Sequence, residues 1–539
     1  MTRPTVAQAE GWHPDALRRL ADVWDEAAHY LRAHVDAVVS EVKASRDFWT
    51  GSAADSAHEC AGTMVAVADA VARALVIAAV AARDGADEIA EAQADVVGRV
   101  AGARAQGFVV GDDGSASPPA EPSPLLVSLC GGNPRLAHDL LALRSAELTR
   151  LIVDALDRLG AADTDSARDI EEAFATPPPG RAAPTVPAGA WPVQPADIVA
   201  GWPAMSQDRI AAQIVAMTPA QRHQLIAEFP RQVGNTDGVP WDMRIAANRL
   251  NIADAIVTET GRDAASRQRI ALYRGLLGEI DDPTRARGRT QRQILAFDPA
   301  RASLVELNGD LSAARSVAVL VPGVNTTIED SAANTTTARR FVSASHGDVA
   351  VITYLGGPFP QVDDPAGVLL DAADPRYALD MAPRLVAFSE DVDRVVDDGV
   401  PVTVIGHSYG GSIVGTAEEL GLTSDRTLFL AAAGAGVGVD DPSDWHNRNP
   451  DVLRFSMTAP GDFIEAVQGI PGGPHGADPD EVDSVIRLPT GHYDDGGAVS
   501  GWEAHTGMLN RPSDSWRTIL AVITGDSQTL HRASAGAPQ

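Results

Sequence analysis

The sequence predicts an all-α region followed by an α/β region built on a doubly wound, mostly parallel sheet. Three observations carry that expectation. Apolar residues recur at helical spacing through roughly the first hundred residues. Pro- and Ala-rich stretches interrupt the chain before residue 200. After about residue 292 short β-branched runs alternate with helical stretches, the pattern of strand, crossover, strand.

The first stripe is Leu17, Leu20, Trp24, Ala27, Leu31, Val35, Val38 and Val42, one continuous helical face. It stops at "FWTGSAAD", Phe48 to Asp55, where Gly51 can end one helix and Ser52 can cap the next. A second long helix, with Ala61, Met64, Val65, Ala68, Val71, Leu75, Ala78 and Ala82 on one side, runs to about Gln106. Two long helices joined by a short loop make an antiparallel hairpin. The block Gly111 to Pro124 reads as a linker, and a third helix over Pro134 to Ala175 completes a bundle. The expected division is a helical bundle over 1–175, a Pro/Ala-rich linker over 176–200, the α/β region over 201–526 and a disordered tail over 527–539.

Within the α/β region, "SVAVLVPG" (Ser316 to Gly323), "DVAVITYLG" (Asp348 to Gly356), "PVTVIG" (Pro401 to Gly406) and "RTLFLAAAG" (Arg426 to Gly434) are continuous apolar runs. Such runs suit strands covered on both faces. "VLRFSMTAPGD" (Val452 to Asp462) and "SVIRLP" (Ser484 to Pro489) follow as further strands.

Composition narrows the function. The 539 residues carry 43 basic and 73 acidic side chains, a formal net charge of −30. That field argues against nucleic acid and anionic membrane surfaces as partners. The longest apolar run, Ala74 to Ala82, falls well short of the roughly 20 residues of a membrane span, so no stable membrane insertion is expected. The first twenty residues lack the apolar core of an ordinary signal peptide, making the cytoplasm the default compartment. Cys60 and Cys130 are expected to be buried, inert thiols rather than a disulfide. The histidines are scattered, and neither a metal-ligand pair on a helix nor a GxxxxGK[ST] loop occurs. No metal and no cofactor is expected.

The chemistry concentrates in "VTVIGHSYGGSIVG", Val402 to Gly415. Gly406-His407-Ser408-Tyr409-Gly410 fits G-x-S-x-G between an apolar strand and a helix. A serine at that corner projects its hydroxyl, and glycines two residues either side relieve the crowding of a strained turn. The hydroxyl needs a base, and the base needs a carboxylate to hold its tautomer. In chain order Ser, acid, His, Asp462 is the favoured acid because it follows a strand through a Pro-Gly turn; Asp440 and Asp441 are expected to be solvated. His505, ahead of the final helix, is the favoured base, with His492 as the alternative. His446 is expected at the surface, and His475 can line the site. The oxyanion donors are expected to be the N–H groups of Tyr409 and of Val324, in the turn opened by Gly323.

These residues resemble the α/β-hydrolase fold, and more narrowly an actinobacterial, largely uncharacterised α/β-hydrolase family. The resemblance rests on "GNTDGVPWDMRIAANR" (Gly234 to Arg249), "VAVLVPGVNTT", "VIGHSYGGSIVG", "TAPGDFI" (Thr458 to Ile464), "HGADP" (His475 to Pro479) and "HTGML" at His505. It covers roughly residues 200–525 and implies a Ser408/Asp462/His505 triad and hydrolase-type chemistry, but no particular substrate. The expected partner is a small-molecule or lipid-like acyl substrate. The family has a serine after its last histidine and an aromatic two further on, where Thr506 and Met508 stand here. The N-terminal hairpin resembles the Trp-x-Gly family of helical type VII secretion substrates, through Trp49-Thr50-Gly51. That resemblance implies a helical partner protein and a type VII-like export route. Phe108 and Asp112 reproduce the spacing of a secretion tag without its tyrosine. The alternative to an enzyme is a secreted or partner-binding helical protein whose hydrolase scaffold is inactive. Gly357 to Pro375 is an insertion expected to overhang the site.

Overall fold

A computed structural model describes residues 3–175, 193–286, 288–362, 374–468 and 473–535. The chain divides into two compact units, one of residues 1–186 with 253–278 and one of residues 187–252 with 279–539.

In the first unit, the short helix α1 (Val6–Gly11) opens with a capping box, Thr5 Oγ1 accepting from Gln8 N–H and the Gln8 side chain accepting from Thr5 N–H. The long helices α2 (Asp15–Ser45), α3 (Ser52–Ala105) and α4 (Pro134–Ala175) follow. Their core joins Val6, Ile89, Val96, Val100, Phe108, Leu148, Ile152, Leu156 and Leu159. Buried Asp25 is held by Arg83 and Arg274, each at 2.6 Å. Among the described residues α3 alone is long and apolar enough, by length and composition, to cross a membrane; here Val76, Ala79, Val80 and Ala82 are buried in the unit.

Several expectations are corrected in this unit. The block after Gln106 is not a free linker: Val109–Val110 and Ala116–Ser117 pair as a small antiparallel hairpin. Phe108 is a core residue, and Asp112 holds α1 by accepting from Val6 and Ala7 N–H groups at 2.9 and 2.8 Å. Cys60 is exposed and Cys130 only half-buried. Cys60 lies near the start of α3, in a stretch of that helix whose residues are mostly exposed or half-buried.

The second unit carries an eight-stranded sheet: β1 (Gln293–Asp298), β2 (Ser303–Asn308), β3 (Ser316–Val321), β4 (Val349–Leu355), β5 (Val402–His407), β6 (Arg426–Leu430), β7 (Leu453–Met457) and β8 (Val485–Arg487). Its order is β8-β7-β6-β5-β3-β4-β2-β1, and β2 alone runs against the rest. The strands predicted as parallel are parallel; β1 and β2 escape the apolar-run criterion because buried Glu306 interrupts β2. That carboxylate is matched by Arg292 at 2.6 Å and Arg339 at 3.1 Å. Burial opposes its charge, but the two guanidiniums win and hold it below the usual carboxylate range.

Helices α5 (Ala332–Ala344), α6 (Arg376–Val395), α7 (Tyr409–Glu419), α8 (Ala504–Asn510) and α9 (Asp514–Thr524) cover the sheet. One core gathers Leu320, Ile405, Leu428, Leu430, Phe455 and Met457 with Phe341, Met508, Ile519 and Val522. The register pairs Val321 with Gly406, His407 with Leu430 and Leu430 with Met457. Three strands therefore end level with the tip of β5, and their loops converge at one edge of the sheet, where ligands gather in such sheets. At the two ends expected to be irregular, Pro195–Gly201 and Ser527–Ala535 are helical. The insertion expected over the site lies, for residues 363–373, outside the described residues.

Candidate active site

Ser408 stands between β5 and α7 with φ 57° and ψ −123°. That conformation is costly for a residue with a Cβ, of order 1–3 kcal/mol, and persists only where the surroundings enforce it. The surroundings here are backbone. A Cβ on Gly406 would lie 2.6 Å from both Gly410 O and Gly411 Cα. One on Gly410 would lie 2.3 Å from Val321 O and 2.4 Å from Pro322 O. The glycines let β5, α7 and the end of β3 close on one another, and the serine is bent outward as a result. Ser408 N–H donates to Leu430 O at 3.0 Å, and Ser408 O accepts from Ala433 N–H at 2.9 Å.

Asp462 and His505 meet. His505 Nδ1 lies 2.9 Å from Asp462 Oδ2 and 3.1 Å from Oδ1, with the carboxylate side chain fully buried. A carboxylate only accepts, so the Nδ1 contact is an N–H donation to Asp462, the tautomer that turns Nε2 toward the role of a base. Asp462 Oδ1 also accepts from Ile464 N–H at 3.1 Å. Phe463 packs against the His505 ring, centroids 4.5 Å apart.

His407 ties this pair to the serine corner. Its Nε2–H donates to His505 O at 2.8 Å, and the two rings lie 5.0 Å apart. Burial, reinforced by the neighbouring His505, lowers the His407 pKa to about 4, so this ring is neutral at pH 7. The role of His407 is not legible in G-x-S-x-G, where that position is unspecified. Ser408 Oγ itself makes no hydrogen bond among the described residues; such bonds often tighten only when substrate binds.

Gly323 abuts the serine, since a Cβ there would sit 2.7 Å from Ser408 Cβ and 3.0 Å from Oγ. Val324 follows it, half-buried, and neither Val324 N–H nor Tyr409 N–H donates a hydrogen bond among the described residues. The Tyr409 side chain points away: its hydroxyl donates to Asp374 O and accepts from Ala378 N–H at 3.3 Å. Burial raises the Tyr409 pKa above the usual phenol range, keeping it protonated.

The other histidines lie elsewhere. His492 is exposed, its backbone paired with Ala498 and its N–H donating to Asp514 Oδ2 at 2.9 Å. The structure thus gives Asp462 to His505 and places His492 on the surface. His446 is exposed, as are Asp440 and Asp441 apart from a short turn. His475 is buried, with Nδ1 2.7 Å from Ser412 Oγ and its ring edge-on to Tyr409. It braces the helix behind the serine. No cluster of metal-ligating side chains occurs among the described residues.

Residues 298–471 match the family model described as Alpha/beta hydrolase. Two uncharacterized Mycobacterium tuberculosis proteins, Rv2079 and MT2140, are each 27% identical to this chain over 339 residues. The alignment covers 53% of this chain and 45% of each relative, so the chain spans less than half the length of the curated relatives it matches. Among solved structures, similarity extends to a dienelactone hydrolase-like promiscuous phosphotriesterase from metagenomic libraries, at 17% identity and TM-score 0.27, covering 42% of this chain and 95% of that one. It extends also to a hyperthermophilic esterase from Pyrobaculum calidifontis, at 11% identity and TM-score 0.23, covering 59% and 99%. Sheet order, serine corner and family match together identify the second unit as an α/β-hydrolase fold.

Proposed function

We propose that the second unit is a serine hydrolase that cleaves a carboxylic ester, thioester or amide through an acyl-enzyme. The observation that carries this reading is the buried Asp462–His505 pair fastened to His407, the residue beside strained Ser408. His505 Nε2 takes the Ser408 Oγ proton as the oxygen attacks the substrate carbonyl carbon. The carbonyl π electrons move onto oxygen, and the free N–H groups of Tyr409 and Val324 stabilise that charge. Imidazolium Nε2–H then protonates the leaving alcohol, thiol or amine as its bond to the acyl carbon breaks. Water repeats the sequence and releases the carboxylic acid. Asp462 orients the ring and stabilises the imidazolium. His505 rather than His492 is the base in this reading, because Asp462 is bonded to it.

The test is labelling of the full chain by a fluorophosphonate probe, compared with Ser408→Ala, followed by a p-nitrophenyl ester series of increasing acyl length. Rapid labelling that Ser408→Ala abolishes supports the reading. A folded protein that the probe does not touch is an inactive scaffold.

A second reading concerns the helical unit, which we propose engages a helical partner of the kind that serves type VII-like export. Its support is the loop between α2 and α3, where Phe48 is 80% and Trp49 43% exposed. Recovery of the protein only from cell lysate, with the export machinery intact, would overturn it.

A further inference from the structure

The motif "GNTDGVPWDMRIAANR" plays no part in the serine chemistry, yet it builds a constellation of its own. Asp391, fully buried on α6, accepts from Gly238 N–H at 2.9 Å, Trp241 Nε1–H at 2.9 Å and Arg244 Nη1–H at 2.8 Å. Arg244 is itself 2% exposed. Its Nε donates to Leu295 O at 2.8 Å, and Nη1 also reaches Asp237 Oδ1 at 2.9 Å. Nη2 makes no hydrogen bond among the described residues.

Beside this guanidinium opens a cavity of about 290 Å³. Its wall includes Arg244, Asp237, Tyr354, Arg301, Gly356 and Phe388, and none of the residues assigned to the serine chemistry. Tyr354 is only 3% exposed, and its hydroxyl has no hydrogen-bond partner among the described residues. A Cβ on Gly356 would sit 2.3 Å from that oxygen, so only glycine leaves room for the hydroxyl. Burial raises the Tyr354 pKa above the usual phenol range, so the group stays a donor. Arg301 is exposed, lines the same cavity and forms no ion pair among the described residues. Arg384, by contrast, is engaged by Asp380 and Gly356 O.

The groups left open are therefore donors: one phenol and two guanidinium edges. The acids of the wall do not cancel them. Asp237 is already bonded to Arg244, and burial raises its pKa; Asp298 caps a turn at Ala300 N–H. A phenol on a side chain that is otherwise buried and a guanidinium edge, both bordering the cavity with no protein partner among the described residues, suit an acceptor placed between them. Phe388, 5.0 Å from the Tyr354 ring, supplies an apolar face for the rest of such a molecule.

We propose that this cavity is a second binding site, distinct from the serine corner, for a small monocarboxylate whose oxygens accept from Tyr354, Arg244 and Arg301. The cavity lies at the small end of ligand pockets, which limits the occupant to a short acyl or single-ring acid.

Isothermal titration of the full chain with sodium benzoate tests this, with benzamide as the uncharged counterpart. The expected result is one benzoate per chain, weaker binding of benzamide, and at least ten-fold weaker benzoate binding in Tyr354→Phe, the scale of a hydrogen bond to a charged group. Arg301→Gln, an exposed change that spares the fold, is expected to weaken binding as well and supplies the readout should Tyr354→Phe not fold. Ser408→Ala is expected to bind benzoate as the wild type does. No measurable binding at tens of millimolar benzoate overturns the proposal. Equal affinity in wild type and both cavity variants does so too. Loss of benzoate binding once a fluorophosphonate has blocked Ser408 would place the carboxylate in the acyl site instead.

Discussion

Gly410→Ala is the sharpest perturbation of the serine corner, because its consequences follow from backbone distances. The added Cβ would meet Val321 O at 2.3 Å and Pro322 O at 2.4 Å. A comfortable contact needs roughly 3.5 Å, so the end of β3 must retreat by about 1 Å or α7 must tilt by as much. Neither neighbour is a flexible side-chain tip that can swing aside. Overpacking of this kind costs about 1–3 kcal/mol, and each kcal/mol moves Tm by roughly 1–2 °C in a unit of this size. The functional loss should be larger than the stability loss. Pro322 leads directly into Gly323 and Val324, so the retreat carries one proposed oxyanion donor away from Ser408. Misplacement by about 1 Å costs on the order of 10²-fold in rate. The assay is the second-order rate of fluorophosphonate labelling, measured beside a thermal melt and well below Tm. Labelling within about two-fold of wild type, at unchanged Tm, would refute the claim that glycine is required here by contact with β3.

Three further outcomes are expected. Asp462→Asn should keep the fold but lower ester turnover by about 10⁴, because the amide no longer fixes the Nδ1–H tautomer; turnover and circular dichroism report both halves. His407 should make stability depend on pH: its folded pKa of about 4 lies below the unfolded value near 6.5, so its neutral-state contribution is full above pH 6.5 and drains as pH falls toward 4. At about 1.36 kcal/mol per pH unit the loss is at most roughly 3 kcal/mol, and less because the ring keeps partial exposure. Urea unfolding near pH 7 and near pH 5 should show a steeper fall for wild type than for His407→Gln; parallel slopes would remove the assignment. Gly98→Ala, in the exposed interior of α3 with nothing within 4 Å of the new Cβ, should stabilise the helical unit by up to about 1 kcal/mol, read as a higher urea midpoint for its transition.

The sequence makes legible what a short stretch of chain determines. An apolar run between turn residues gives β3 to β6, because strands covered on both faces are apolar along nearly their whole length. The serine corner is legible for the same reason: strand, two glycines and helix lie within fourteen residues. Chain order then leads from the corner to Asp462 and His505, whose side chains do meet. The edge of the sheet is less legible, because Glu306 breaks the run of β2 and is compensated by arginines 14 residues before it and 33 after it. The same holds for Asp391, whose donors Gly238, Trp241 and Arg244 lie about 150 residues upstream.

Buried polar groups thus mark the boundary of local reading. Each is costly alone and tolerable only with partners that the fold, not the neighbouring sequence, brings in. That asymmetry also separates the two candidate sites. The serine corner announces itself through glycines that its own backbone requires. The Tyr354 cavity announces itself only once the hydrogen bonds of Arg244 have been followed and one nitrogen and one hydroxyl remain. A residue such as Asp237 then reads differently in the two descriptions: an acid in a turn-rich loop by sequence, and one wall of a donor-lined cavity in the fold. Its substitution should therefore disturb carboxylate binding while leaving the serine corner, built from other strands, able to react.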